Sequence, residues 1–228
     1  MGGQACVLYG AAEFSKDFDF ALLLTEANLE KFSSLTAELE ARVIAVPPFE
    51  PGFLEKGHAV HFRASLAGFE QLRIDIMTKM RGVDPFPALW GRRTTAEIDP
   101  GMTVELLSLP DLVQAKKTQR DKDWPMIRRL VDVDYLQHRS NATPAQVLFW
   151  LKELRTPSLL IECASTWKEI VTEIAGERSA ILLAAMEMNV TAVELALDQE
   201  RAEIRQLDRL YWAPLLKELE MLRHKRKE

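Results

Sequence analysis

A chain of 228 residues, 47% hydrophobic and 28% charged, has an ordinary globular composition and enough length for a sizeable core. Its formal net charge of −5 excludes indiscriminate binding to nucleic acid while leaving room for a local basic groove. Cys6 and Cys163 each sit in an apolar context and read as buried reduced thiols, with no spacing that suggests a disulfide framework or a zinc site. No signal-peptide pattern opens the chain and no stretch reaches the length of a membrane span, so the expectation is a cytoplasmic protein with no membrane partner.

In chain order, Gln4 to Tyr9 reads as a short helix closed by Gly10, and Asp17 to Leu24 as a strand. Thr25 can N-cap the next helix, which sets Leu29, Phe32, Leu35 and Leu39 along one side. Arg42 to Val46 is a short strand ended by Pro47-Pro48, and Phe49 to Gly57 reads as a loop. Strands are expected at Ala59 to Ala64, Gln71 to Thr78 and Val104 to Leu107, with a Pro/Gly-punctuated segment at Gly82 to Gly91. Interleaved strands and helices imply a mixed sheet covered by helices, an α+β core over residues 1–125. From Leu109 onward the signals are helical, and residues 126–228 are expected to be all helix. Thr143-Pro144-Ala145-Gln146 joins an N-cap, Pro at the first helical position and a capping-box glutamine. Ile204, Leu207, Tyr211, Leu215, Leu219 and Leu222 form an amphipathic stripe within which Pro214 is expected to start a new helix. The tail from His224 to Lys227 reads as disordered.

The chemistry concentrates in three places. Gly2-Gly3 can offer backbone N–H groups to phosphate. Asp17 and Asp19, two apart on a strand, point the same way and can reach one cation. Asp75 interrupts the apolar run Leu72 to Met77, where a carboxylate must be paired, hydrogen-bonded or bound to metal; Arg73 is one available partner. If its strand lies beside that of Asp17 and Asp19, the three acids share one edge of the sheet, a donor set that suits Mg²⁺ with substrate phosphate. Farther on, Lys116, Arg120 and Asp123 recur at i, i+4 and i+7 of an expected helix, capped at its start by Ser108 and Asp111. Lys116 and Arg120 would supply cations for a triphosphate tail, against the simpler reading of an Arg120–Asp123 pair on a solvated helix.

Met1-Gly2-Gly3, Asp17-Phe18-Asp19-Phe20 and Ile74-Asp75-Ile76 resemble, in order and spacing, the signature of the nucleotidyltransferase superfamily, whose fold is shared by DNA polymerase beta and kanamycin nucleotidyltransferase. Ser108 to Asp123 looks like the corresponding segment of its AbiEii-like toxin branch. The likeness covers residues 1 to about 130, with only a looser similarity to uncharacterised bacterial relatives beyond. It implies transfer of a nucleoside monophosphate from an NTP to a hydroxyl or phosphate acceptor. Asp17, Asp19 and Asp75 would be the catalytic metal ligands for two Mg²⁺ ions, Asp75 also activating the acceptor, with Gly2, Gly3, Lys116 and Arg120 on the nucleotide. The acceptor would be tRNA or another RNA, with a cognate antitoxin as protein partner. A catalytically silent nucleotide- or partner-binding member and a small-molecule modifier of the aminoglycoside type are the alternatives. The superfamily's first strand would lie upstream of Met1, and Gly3 stands where many members carry Ser.

Other features read as structural. His58 and His61 lack an evident third metal ligand. Arg92-Arg93 reads as a solvated turn, with phosphate or RNA contact as the alternative. Trp150, Trp167 and Trp212 read as core or interface anchors. Lys116, Lys117, Arg120, Lys122, Arg128 and Arg129 form the best candidate RNA-facing patch.

Overall fold

A computed structural model describes all residues except 71, 175, 177 and 226–228; the end of the basic tail therefore lies outside the described residues. The architecture is α+β, with a small mixed sheet in the first part and helices throughout the C-terminal part. The chain forms two compact units. One holds Met1–Ala115 together with the segment from Arg209 onward, and the other holds Lys116–Asp208.

The first unit runs α1 (Gly2–Leu8), β1 (Asp17–Ala21), α2 (Glu26–Glu38), β2 (Arg42–Val43), α3 (Pro51–Lys56), β3 (Val60–Arg63) and β4 (Arg73–Met77). The sheet order is β1-β4-β3-β2, with β1 parallel to β4 and the other pairings antiparallel. Strand alternation splits its two faces. Ile74, Ile76, Val60 and Phe62 point into a core completed by Phe32 of α2 and Leu54 of α3. Phe32, Phe49 and Phe62 meet edge-on at centroid distances of 5.3 to 5.6 Å, each pair adding about 1 kcal/mol beyond its buried area. Thr25 caps α2 by accepting from the Asn28 N–H, as its sequence predicts. As the edge strand, β1 leaves Phe18 and Phe20 about 40% exposed.

Several local expectations are corrected. The stretch 49–57 contains α3, with Pro51 at its first turn and Gly57 closing it at φ +99. The Pro/Gly-rich segment 82–91 contains most of α4 (Phe86–Arg92). The strand near Val104 is half of a separate hairpin, β5 (Thr94–Asp99) with β6 (Met102–Leu106), and β5 was not anticipated. The helix opening at Leu109, α5, stops at Ala115.

The second unit contains α6 (Asp123–His138), a 3₁₀ turn, α7 (Pro144–Glu153), α8 (Pro157–Thr166), α9 (Lys168–Ile174), α10 (Ser179–Met186) and the first part of α11 (Val190–Lys225). The capping box at α7 forms in full between Thr143 and Gln146. Trp150 is fully buried, edge-on to Tyr135 at 5.1 Å, and its indole N–H donates to Asp134 at 2.7 Å. Pro214 starts no new helix; it lies inside α11, which continues through it. Among the described residues, no helix is long and apolar enough to cross a membrane.

Candidate functional site

The register of the first unit decides which predicted residues meet. Asp19 is the direct partner of Asp75 across β1 and β4, and Asp17 is the partner of Arg73. Partners in a ladder share a face, so Asp17, Asp19 and Asp75 all lie on the side of the sheet opposite the Phe62–Ile74 core. His61 of β3 is the partner of Asp75 on its other side. One face therefore carries three carboxylates, the His61 imidazole and the guanidiniums of Arg73, Arg63 and Arg42.

Asp75 is the centre of this group and only 8% exposed. Its Oδ1 accepts from Arg73 Nε at 2.9 Å and lies 2.8 Å from His61 Nδ1. Burial alone would push the Asp75 carboxyl up, but the hydrogen bonds from His61 and Arg73 outweigh it and hold it below the usual range. Arg73 in turn is raised by its bond to Asp75 against burial, with help from the charges of Asp75, Asp17 and Asp19. Arg73 was legible as a partner from its position two residues before Asp75, whereas His61 became visible only through the β3–β4 register.

Gly2 and Gly3 form the first turn of α1 and close on Asp19. The Gly3 N–H donates to Asp19 Oδ2 at 3.3 Å, and the Met1 amine donates to the Asp19 carbonyl at 2.8 Å. A Cβ on Gly2 would stand 1.8 Å from Asp19 Oδ2, and one on Gly3 would stand 2.3 Å from Ser15 Oγ. Gly2 also holds φ +69, a conformation that side chains disfavour. The turn is thus built of glycine because a carboxylate and a hydroxyl occupy the space a side chain would need.

For Mg²⁺, the donor atoms on this face are of the right kind, carboxylate oxygens of Asp17, Asp19 and Asp75. Among the described residues, no three His, Cys, Asp or Glu side chains converge closely enough to form a ready metal cage. Asp19 and Asp75 are the adjacent pair, and Arg73 sits among the three acids.

Lys116 and Arg120 belong to the second unit. They do not share a helix face with Asp123, because residues 116–122 form a non-helical connection between α5 and α6. The connection instead wraps Asp123, which is 3% exposed. Arg120 Nε reaches Asp123 Oδ2 at 2.7 Å, Thr118 donates to the same oxygen, and Lys116 Nζ lies 3.7 Å from Oδ1. Asp123, expected as one member of a basic face, is the buried acid that organises the segment. Much of the proposed RNA-facing patch is likewise engaged internally: Lys117 pairs with Glu153 at 2.6 Å, and Arg128 bonds Thr156 beside Asp132.

The remaining motifs resolve as structure. Arg92 is not a bare solvated turn: it forks onto Asp111 at 2.7 and 3.1 Å and meets Asp84 at 2.9 Å. Arg93 pairs with Glu105 and lies over Trp90. His58 is buried and bonds Glu218 at 2.9 Å. No family model matches the chain, and no curated protein matches it.

Proposed function

We propose that this chain is an Mg²⁺-dependent nucleotidyltransferase, moving a nucleoside monophosphate from an NTP to a hydroxyl or phosphate acceptor. The observation that carries the reading is the direct pairing of Asp19 with Asp75 on adjacent parallel strands, with the Gly2–Gly3 turn closed onto Asp19. In this reading Asp17, Asp19 and Asp75 would hold two Mg²⁺ ions, which would supply charge to offset the triphosphate and the departing pyrophosphate. The Gly3 amide would exchange the Asp19 carboxylate for a phosphate oxygen, with the Gly2 amide beside it. The acceptor oxygen forms its bond to the α-phosphorus as the bond to the β-phosphate oxygen breaks. Its proton passes to the Asp75–His61 pair, and pyrophosphate leaves with the bonding electrons. Arg73, bonded to Asp75 at 2.9 Å, would supply positive charge beside the reacting phosphate. RNA, tRNA among it, is the acceptor favoured by the likeness to the toxin branch, which would place the protein in the cytoplasm beside a cognate antitoxin.

A second reading has its own support. Asp75 is already ion-paired with Arg73 and hydrogen-bonded to His61, which suits a catalytically silent protein that binds nucleotide or a partner without turnover. Incubation with each α-labelled NTP, Mg²⁺ and total RNA, beside an Asp17→Asn/Asp19→Asn variant, separates the two. Label transfer that vanishes in the variant is the expected result. Saturable NTP binding with no transfer to RNA, protein or small-molecule acceptors establishes the silent reading instead.

A further inference from the structure

The second unit holds a cleft of about 410 Å³, walled by α6, the α7–α8 connection, α8 and α11. Arg155 forms part of that wall with its side chain only 7% exposed. Its guanidinium lies 4.7 Å from the ring centre of Trp124, which lines the same cleft. Arg155 Nη2 is 2.9 Å from Glu200 Oε2, yet neither Nη2 nor Nε makes a hydrogen bond. The reason is competition. Glu200 gives both oxygens to Arg178, at 2.9 and 3.0 Å, and Arg178 is itself buried. Glu153, the other nearby acid, pairs with Lys117 through Oε1, and its buried Oε2 makes no hydrogen bond. Two buried guanidiniums thus share the one carboxylate of Glu200, and Nε and Nη2 of Arg155 stay without a hydrogen bond behind the cleft wall.

The rest of the cleft adds to that charge. Arg128 from α6 and Arg201 from α11 line it and are about half exposed. The first turns of α6 and α8 contribute Pro125 and Pro157, and neither helix has a side-chain cap on its amides. Two acids of α11 oppose this: Asp198, held by Arg201 at 2.9 Å, and Glu194. Trp124 and Leu197 supply apolar surface.

We propose that this cleft binds a small phosphomonoester, its phosphoryl group on Arg128, Arg155 and Arg201 and its organic part against Trp124 and Leu197. Three guanidiniums match a phosphoryl dianion better than a singly charged carboxylate. The volume exceeds what inorganic phosphate fills and lies in the range of small-ligand pockets. Glu194 and Asp198 repel an extended polyanion, so a discrete small ligand is favoured over an RNA backbone. The site lies wholly within the second unit and stands independently of the nucleotidyltransferase reading.

Calorimetric titration of the full chain with phenyl phosphate, inorganic phosphate and benzoate tests it. Phenyl phosphate binds saturably and more tightly than either of the others. An Arg128→Gln/Arg201→Gln variant, which changes only half-exposed side chains, keeps its circular dichroism and urea midpoint but binds phenyl phosphate about tenfold or more weakly. Three results overturn the proposal: no saturable heat with phenyl phosphate, binding that the double variant leaves unchanged, or binding of a short RNA oligomer that the double variant abolishes while phenyl phosphate fails to compete.

Discussion

Replacing Gly2 with alanine tests whether the first turn of α1 is built around Asp19. The new Cβ would stand 1.8 Å from Asp19 Oδ2 and 2.4 Å from its Cγ, so the carboxylate must swing away. Alanine at φ +69 adds about 1 kcal/mol of backbone strain. Moving Asp19 also breaks its bond from the Gly3 N–H, which at 3.3 Å and half-buried contributes about 1 kcal/mol. The expected loss is therefore about 2 kcal/mol, confined to the first unit. Gly91→Ala is the matched control. Gly91 lies exposed inside α4 with nothing near its would-be Cβ, so alanine there stabilises by about 0.5–1 kcal/mol. Urea unfolding followed by circular dichroism reads both variants against the parent chain, with the slopes checked for equality. NTP binding by Gly2→Ala, measured in parallel, should fall as well. A Gly2→Ala chain within about 0.5 kcal/mol of the parent, the range of an ordinary surface change, refutes the close-approach argument.

Arg178→Met strips Glu200 of its bidentate partner and the Leu151 and Leu154 carbonyls of a donor, so urea unfolding should show a loss of about 3–5 kcal/mol. Glu200 supplies the pH signature of the same cluster: burial pushes its carboxyl up, but Arg178 and Arg155 hold it below its ordinary 4.5. Its contribution is complete above that value and fades as pH falls through the lower folded one, so acid should weaken the second unit, with the Glu200 part of that slope missing in Glu200→Gln. Thr143→Ala removes the α7 capping box and should lower the second unit's stability by about 1 kcal/mol in the same titration. The Cys163 thiol, which burial pushes up to about 12, should resist a thiol-specific disulfide reagent in the native chain and react at once in urea.

What could be read in advance was what local chemistry decides. Thr25 and Thr143 announce helices because a hydroxyl and the amides it caps lie within one turn of sequence. Asp17 and Asp19 share a face because strand alternation has a fixed period, whereas the place of Asp75 beside them depended on β1 and β4 being neighbours in register. The misses came where distant contacts override local signals. Residues 116–122 look helical, but buried Asp123 draws Thr118 and Arg120 back onto itself and opens the turn. Pro214 should interrupt a helix, yet α11 runs through it, and Glu218, one turn beyond, bonds His58 and Lys56. At α3 the signals were local but misread: Pro51 near the start and Gly57 just past the end punctuate a helix as well as a loop. Register is a property of paired strands, so the place of His61 beside Asp75 could not be read from either strand alone.

Arg73 bears on which ion the proposed Mg²⁺ site would take. It is a counter-ion on a tether, present beside Asp75 at any protein concentration and impossible to dialyse away. A monovalent ion would gain little there that a guanidinium does not already supply. A divalent ion would bring twice the charge in a small radius. On the proposed reading, Arg73 would act as a filter of valence, tuned by how firmly Asp75 holds it.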